Sequence, residues 1–253
     1  MREFQGMSVL VTGGGSGIGE GVARYYIERG ACVTICGRRA DKIAAVSDAL
    51  GENCLAVQAD VTSDQDRHRL IEAAVEHGGG LDALISNAGN MYRGPLAELE
   101  AGKVLELFNT NVVAGMMLTQ LAVPHLAARQ GAVIFIGSVH NRRAFPGASP
   151  YAATKAALES VTRVFAAELG SEGVRVNCVV PGAVPTEINQ RAGLMDDETA
   201  ITRLDAMASI HALGRIGTTQ EIAEAIDYLV RGEWTTGAVL DVDGGLGLGL
   251  TDA

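Results

Sequence analysis

No stretch of the 253 residues approaches the ~18 consecutive apolar side chains of a membrane-crossing helix, so no spanning segment is expected. The opening "MREFQGMSVLVTG" has neither a long apolar core nor a small-residue cleavage site, so no signal peptide is expected. Cysteine is scarce: Cys32, Cys36, Cys54 and Cys178 form no CxxC and no zinc-type spacing. Cys32 and Cys36, on one face of a strand-like run, read as reduced core thiols in a cytoplasmic protein. There is no HExxH and no His/Cys cluster, so no metal is expected. Basic residues are outnumbered, 20 Lys and Arg against 30 Asp and Glu, for a formal charge of −10. Such a chain repels nucleic acid and anionic membrane at long range, and neither is an expected partner. GxSxG is missing, which argues against a nucleophile-elbow hydrolase. With no repeat, low-complexity tract or linker, residues 1–253 read as one domain.

What is present is glycine, 32 residues against an average of ~7% of a chain, and an apolar fraction of 47%, enough for a sizeable core. Short β-branched runs at 8–12, 32–36, 54–58, 83–86, 132–137, 175–180 and 238–242 are apolar without alternation, as in a parallel sheet buried on both faces. Amphipathic stretches near 18–29, 40–50, 64–77, 103–128, 152–170 and 219–231 lie between them. The alternation predicts an α/β, single-domain, Rossmann-type doubly wound parallel sheet of about seven strands flanked by helices. The segment 183–218 is too long for an ordinary connection and reads as a substrate lid.

"VLVTGGGSGIGEGVARYYIERG" places Gly13, Gly17 and Gly19 after the first strand and at the opening of a helix. Glycines permit the tight turn and close backbone approach, and the helix N-terminus offers free N–H groups to a pyrophosphate. The spacing TGxxxGxG at 12–19 resembles the cofactor loop of the short-chain dehydrogenase/reductase family, 3-oxoacyl reductases included. "DVT" at 60–62, "SNAG" at 86–89, "NTNVVAG" at 109–115, Ser138 with "YAATK" at 151–155, "VVPGAVPT" at 179–186 and "DVDGG" at 241–245 follow in the family's order. The resemblance covers nearly the whole chain.

Tyr151 and Lys155 are one helical turn apart, so their side chains meet. An ammonium beside a phenol favours the phenolate and lowers a pKa ordinarily near ~10, which suits proton exchange at a carbonyl or hydroxyl oxygen. Ser138 ends the fifth strand-like run at the carboxyl edge, where open sheets bind ligands. The resemblance implies that Tyr151 is the general acid/base, Lys155 tunes it and holds the nicotinamide ribose, and Ser138 orients the substrate. Asn111 matches the family's helix asparagine; Asn109 competes for that place, but the following "VVAG" aligns Asn111.

By the same resemblance Gly13, Gly15, Ser16, Gly17, Ile18, Gly19, Asp60, Val61, Asn87, Ala88, Gly89, Tyr151, Lys155, Pro181, Gly182, Val184 and Thr186 contact the cofactor, with pro-S hydride transfer. Asp60 could equally be an N-cap or turn residue. Gly37 stands where an NAD site carries its acid, and Arg38 and Arg39 follow. Arginine there suits a 2′-phosphate, so NADP is expected, although Ser16 stands where many NADP users have Lys or Arg. The alternative is NAD with the same catalytic residues, and a third reading is an inactive dinucleotide-binding sensor. The expected reaction interconverts a secondary alcohol and a ketone, with a small carbonyl or alcohol as partner. His140 and Arg142 lie in the loop before Tyr151 as substrate candidates. A homotetramer or homodimer is expected from the resemblance, with "GGLGLGLTDA" at the C-terminus read as an interface tail.

Overall fold

In the computed structural model, described for residues 3–194 and 196–249 (for 189, 191, 197, 201 and 205 in backbone alone), the first strand, β1 (Ser8–Thr12), is buried throughout. Val9 and Val11 enter one hydrophobic core and Leu10 the other. The same division recurs in β4 (Ala83–Ser86), with Ile85 opposite Leu84, and in β5 (Ala132–Ile136), with Ile134 and Ile136 opposite Val133 and Phe135. Successive side chains point to opposite faces of a strand, so a strand covered on both faces needs apolar residues at every position. β2 (Cys32–Gly37), β3 (Cys54–Gln58), β6 (Arg175–Pro181) and β7 (Val239–Val242) complete a parallel sheet of seven strands, in order β3-β2-β1-β4-β5-β6-β7.

One face carries α1 (Gly17–Ile27), α2 (Ala40–Leu50) and α9 (Thr219–Arg231), through Val22, Ala23, Ile43, Ile222 and Ile226. The other carries α3 (Asp64–Gly78), α5 (Ala114–Arg129) and α6 (Ser149–Leu169), through Leu70, Leu118, Leu126 and Leu158. α6 begins at Ser149, ahead of the expected 152, because Pro150 fits the first turn, where no helical N–H bond is lost. α4 (Ala101–Phe108) runs into α5 through a π-helical turn, Asn109–Val113. The resulting 29-residue helix is, by length and composition alone, long and apolar enough to cross a membrane, and 44% of its most apolar window is buried inside the fold.

The segment 183–218 is not irregular throughout. It holds α7 (Ile188–Arg191) and α8 (Asp197–Ala206), with Gly193 at φ +67° between them. The last four residues of the C-terminal tail, 250–253, lie outside the described residues.

The chain winds outward from β1 to β3, then crosses back to β4 and continues the other way. The carboxyl ends of β1 and β4 therefore flank the switch point, where such sheets open a crevice.

Candidate active site

At that switch point Thr12 ends β1 and Asn87 follows β4. Thr12 Oγ1 accepts from the backbone N–H groups of Asn87 and Ala88, at 3.0 and 2.9 Å. Asn87 Nδ2 donates to the Thr12 carbonyl at 2.8 Å. These bonds lock the glycine loop to the sheet edge. Gly13 sits at φ +69°, a left-handed conformation that favours glycine. A Cβ on Gly19 would overlap the Gly13 carbonyl and come within 2.7 Å of Asn87 Nδ2. The loop thus presents bare backbone, and α1 begins at Gly17 with its first N–H groups toward the crevice, a cradle suited to an anionic pyrophosphate. The residues fit a dinucleotide.

A cleft of about 380 Å³ runs from this loop across the ends of β4, β5 and β6. Gly13, Ser16, Gly17, Ile18, Asn87, Ala88, Gly89, Ser138, Tyr151, Lys155, Pro181, Gly182, Val184 and Thr186 all line it. Gly15 is turned away, its Cα facing Lys42 and Ile43. Asp60, with Arg38, borders a second groove beyond the loop. Asp60 Oδ1 accepts from Thr62 N–H and Thr62 Oγ1 at 2.9 and 2.7 Å. Burial alone would raise its pKa, but those two bonds and the Arg38 charge hold it below the usual range. The N-cap of α3 is Ser63, not Asp60; Asp60 is the turn residue ahead of it. Arg38 is exposed, while Arg39 leans over the glycine loop, 3.4 Å from Ser16 Oγ, and pairs with Glu187 at 2.9 Å.

Tyr151 and Lys155 lie in the first turns of α6, 6% and 4% exposed. Lys155 Nζ is 5.6 Å from the Tyr151 ring centroid and donates to the Ile136 carbonyl at 2.7 Å. Burial lowers its pKa from 10.5 to about 8. Asn111 sits in the π-helical turn, whose extra residue re-aims the side chain inward. Its Oδ1 accepts from Asn90 N–H at 2.7 Å, and its Nδ2 donates to the Asn90 carbonyl and to Thr154 Oγ1 at 3.0 and 3.1 Å. Thr154 in turn donates to the Tyr151 carbonyl at 2.7 Å. Asn111 therefore ties the post-β4 loop to the start of α6, and it backs the cleft rather than lining it. Replacing Asn111 by Leu orphans buried polar groups at ~1–3 kcal/mol each, so the urea midpoint should fall; an unchanged midpoint would dismiss this tie.

Ser138 follows β5 and Gly137. Its Oγ lies 3.1 Å from His140 Nδ1 and accepts from the His140 N–H at 3.3 Å. His140 Nε2 is 2.9 Å from Arg93 Nη2. Burial, then the charges of Arg93, Arg203 and Lys155, lowers the His140 pKa from 6.5 to about 4, so the ring is neutral at pH 7. A guanidinium can only donate, so Nε2 accepts and the ring proton sits on Nδ1, aimed at Ser138 Oγ. Ser138 Oγ then receives two hydrogen bonds, which leaves its own O–H to point into the cleft. The imidazole also stacks on Phe145, with centroids 4.4 Å apart, and meets Tyr151 edge-on at 5.1 Å and 85°.

Arg142 is a correction. It does not line the cleft but pairs with Glu159 at 2.6 Å and Asp241 at 3.1 Å, bracing the loop against α6 and β7. Sequence reading passed over Arg93, Phe145, Thr154 and Arg203. For Arg93 there was a usable signal, a basic residue just past "SNAG" at the carboxyl edge of the sheet. Cys178 is buried behind the site, and burial pushes its thiol up to about 12, which makes it inert packing.

Residues 13–247 match a family model described as enoyl-(acyl carrier protein) reductase. The bovine (Bos taurus) L-fucose dehydrogenase is 36% identical, over 97% of this chain and 91% of that protein. The glucose 1-dehydrogenase of Gluconobacter oxydans is 35% identical, over 97% and 93%. A short-chain dehydrogenase/reductase of unknown function from Caenorhabditis elegans, solved with cofactor, superimposes with a TM-score of 0.91 at 28% identity, covering 98% of each chain. A 3-ketoacyl-(acyl-carrier-protein) reductase from Brucella melitensis, complexed with NADH, gives 0.87 at 28% identity, covering 97% of this chain and all of that one. With a family-model match over most of its length, relatives above 30% identity end to end, and the strand order and glycine loop described above, the chain belongs to the short-chain dehydrogenase/reductase family and is an oxidoreductase of CH–OH groups.

Proposed function

We propose that the protein interconverts a secondary alcohol and a ketone with NADP(H), by 3-oxoacyl reductase-like chemistry. The observation that carries this reading is convergence: Ser138, Tyr151 and Lys155 meet in the cleft that the glycine loop opens. When bound, the nicotinamide exchanges a hydride with the substrate carbon. Tyr151 gives the carbonyl oxygen its proton in reduction and takes it back in oxidation. Ser138 donates its O–H to the same oxygen and fixes its position. Lys155 favours the phenolate electrostatically while it keeps its proton, which its pKa of about 8 allows at neutral pH. Asn111, through Thr154, holds the α6 turn that carries both. Pro181, Gly182, Val184 and Thr186 close the nicotinamide end, and α8 covers the substrate end as a lid through Ala200 and Leu204. Among the described residues, no group of three or more His, Cys, Asp and Glu is placed to hold a metal ion. We further propose a cytoplasmic homotetramer or homodimer.

The choice of NADP rests on Gly37, which removes the acid, and on Arg38 and Arg39 beyond it. If Arg38 binds the 2′-phosphate, its charge-assisted bonds contribute ~1.5–3 kcal/mol, so Arg38→Ala weakens NADPH binding by roughly 10- to 150-fold and NADH binding little. Adding Gly37→Asp supplies an acceptor for the ribose hydroxyls and repels a phosphate, so the double variant prefers NADH. Titrating both cofactors into both proteins by calorimetry tests this. Tighter binding of NADH by the unmutated protein would replace NADP with NAD, the cofactor in the Brucella structure.

A further inference from the structure

The cleft wall opposite the glycine loop carries more positive charge than the proposed chemistry uses. Arg93, from the loop after β4, and Arg203, from α8, both line it. They are close enough that the Arg203 charge, after burial, lowers the Arg93 pKa, and both depress His140. Among the described residues, neither guanidinium forms an ion pair with an acid. Among the described residues, the one acid on the lining is Glu187, which already pairs with Arg39 at 2.9 Å and Lys42 at 3.9 Å. Arg93 Nε is buried without a partner. The chain as a whole is acidic, with a net charge of −10, so two unneutralised guanidiniums facing one cavity are not its general surface character.

Half burying the Arg93 guanidinium in the field of a second cation, Arg203, is unfavourable unless an anion completes the site. We propose that Arg93 and Arg203 bind a carboxylate of the substrate, so that the alcohol and ketone of this enzyme are a hydroxy acid and its oxo acid. This rests on the reading of Tyr151 and Ser138 as the oxygen-binding pair. Position fixes the scale. Arg93 touches the His140 ring at 2.9 Å, and that ring touches Ser138 at 3.1 Å, so one imidazole separates the guanidinium from the oxygen that receives the substrate carbonyl. The carboxylate therefore lies within a few bonds of the reacting carbon. Planar guanidinium donors match a carboxylate in a fork, which a neutral ester cannot reproduce with comparable strength. Arg203 sits on the lid helix, so the same contact draws α8 over the bound acid.

The test is calorimetric and needs no turnover. Pyruvate, acetoacetate and levulinate, each beside its methyl ester, are titrated into the full chain saturated with oxidised cofactor, where no reduction can occur. At least one acid is expected to bind tenfold or more tighter than its ester. Arg203 is exposed on its helix, so Arg203→Met should fold, keep cofactor affinity and reduce the acid's advantage by about 10- to 100-fold. Equal binding of acid and ester, no binding of any acid, or an advantage undiminished in Arg203→Met would overturn the carboxylate site. Reduction of neutral ketones in those cases would leave the proposed function standing. Acid-selective binding without reduction of any carbonyl compound would overturn the proposed function alone.

Discussion

Tyr151→Phe lowers kcat by ~10²–10⁴-fold, the usual contribution of a positioned acid/base, and leaves stability and cofactor binding nearly unchanged. The separation follows from how the ring is held. Tyr151 packs with Met91 and Leu107 and meets His140 edge-on, contacts that a phenylalanine ring keeps. Only the hydroxyl is lost, and with it the proton exchanged at the substrate oxygen. Steady-state kinetics beside calorimetric cofactor titration checks both halves. Turnover at the wild-type rate would remove Tyr151 from the chemistry. Loss of cofactor binding would mean the ring also braces the glycine-loop cleft.

Lys155→Met should separate activity from stability in the opposite way. The native pKa of about 8 lies below the ordinary 10.5 because burial disfavours the charged amine. Below pH ~8 the folded protein holds a charged, buried ammonium, and the full penalty is present. Between ~8 and ~10.5 the unfolded chain binds more protons than the native state, so wild-type stability rises with pH. At ~1.4 kcal/mol per pH unit, the wild type gains about 3 kcal/mol over the variant across that window. The lost bond to the Ile136 carbonyl shifts the variant by a constant and does not alter the slope. Urea unfolding at pH 7 and pH 10.5 on both proteins measures the difference, which also cancels the titration of Cys36 and Cys178. Activity moves the other way, since the variant has no ammonium to favour the Tyr151 phenolate. A pH-independent stability difference would place Lys155 in solvent, not in the buried site.

The strands were legible because burial on both faces writes itself as unbroken apolar runs, as in "SVLVT" and "AVIFI". The glycine loop was legible because its chemistry is backbone geometry, and few residues besides glycine tolerate it. Tyr151 and Lys155 were legible because one helical turn brings them together without help from the rest of the fold. What failed to show depends on tertiary contact. Arg93 reaches His140 across 47 residues, and no local pattern announces that the two loops meet. Arg142 looked like a substrate cation because its partners, Glu159 and Asp241, lie on distant elements. The π-helical turn at Asn109–Val113 was hidden in a helical periodicity that one extra residue barely disturbs. α8 was missed because its polar sequence, "DETAITRLDA", offers little apolar face to read.

In the proposed reaction hydride passes between the nicotinamide and a substrate carbon while Tyr151 serves the oxygen. The measurement that meets it most directly follows the hydride itself. Reduced cofactor carrying deuterium on the pro-S face is supplied with the panel of oxo acids and neutral ketones, and the products are read by mass and proton spectra. Deuterium is expected on the carbinol carbon of the product, formed by the wild type and at least a hundredfold more slowly by Tyr151→Phe. Cofactor that binds but keeps its deuterium in the presence of every carbonyl compound, or a labelled product formed equally fast by both proteins, would contradict it.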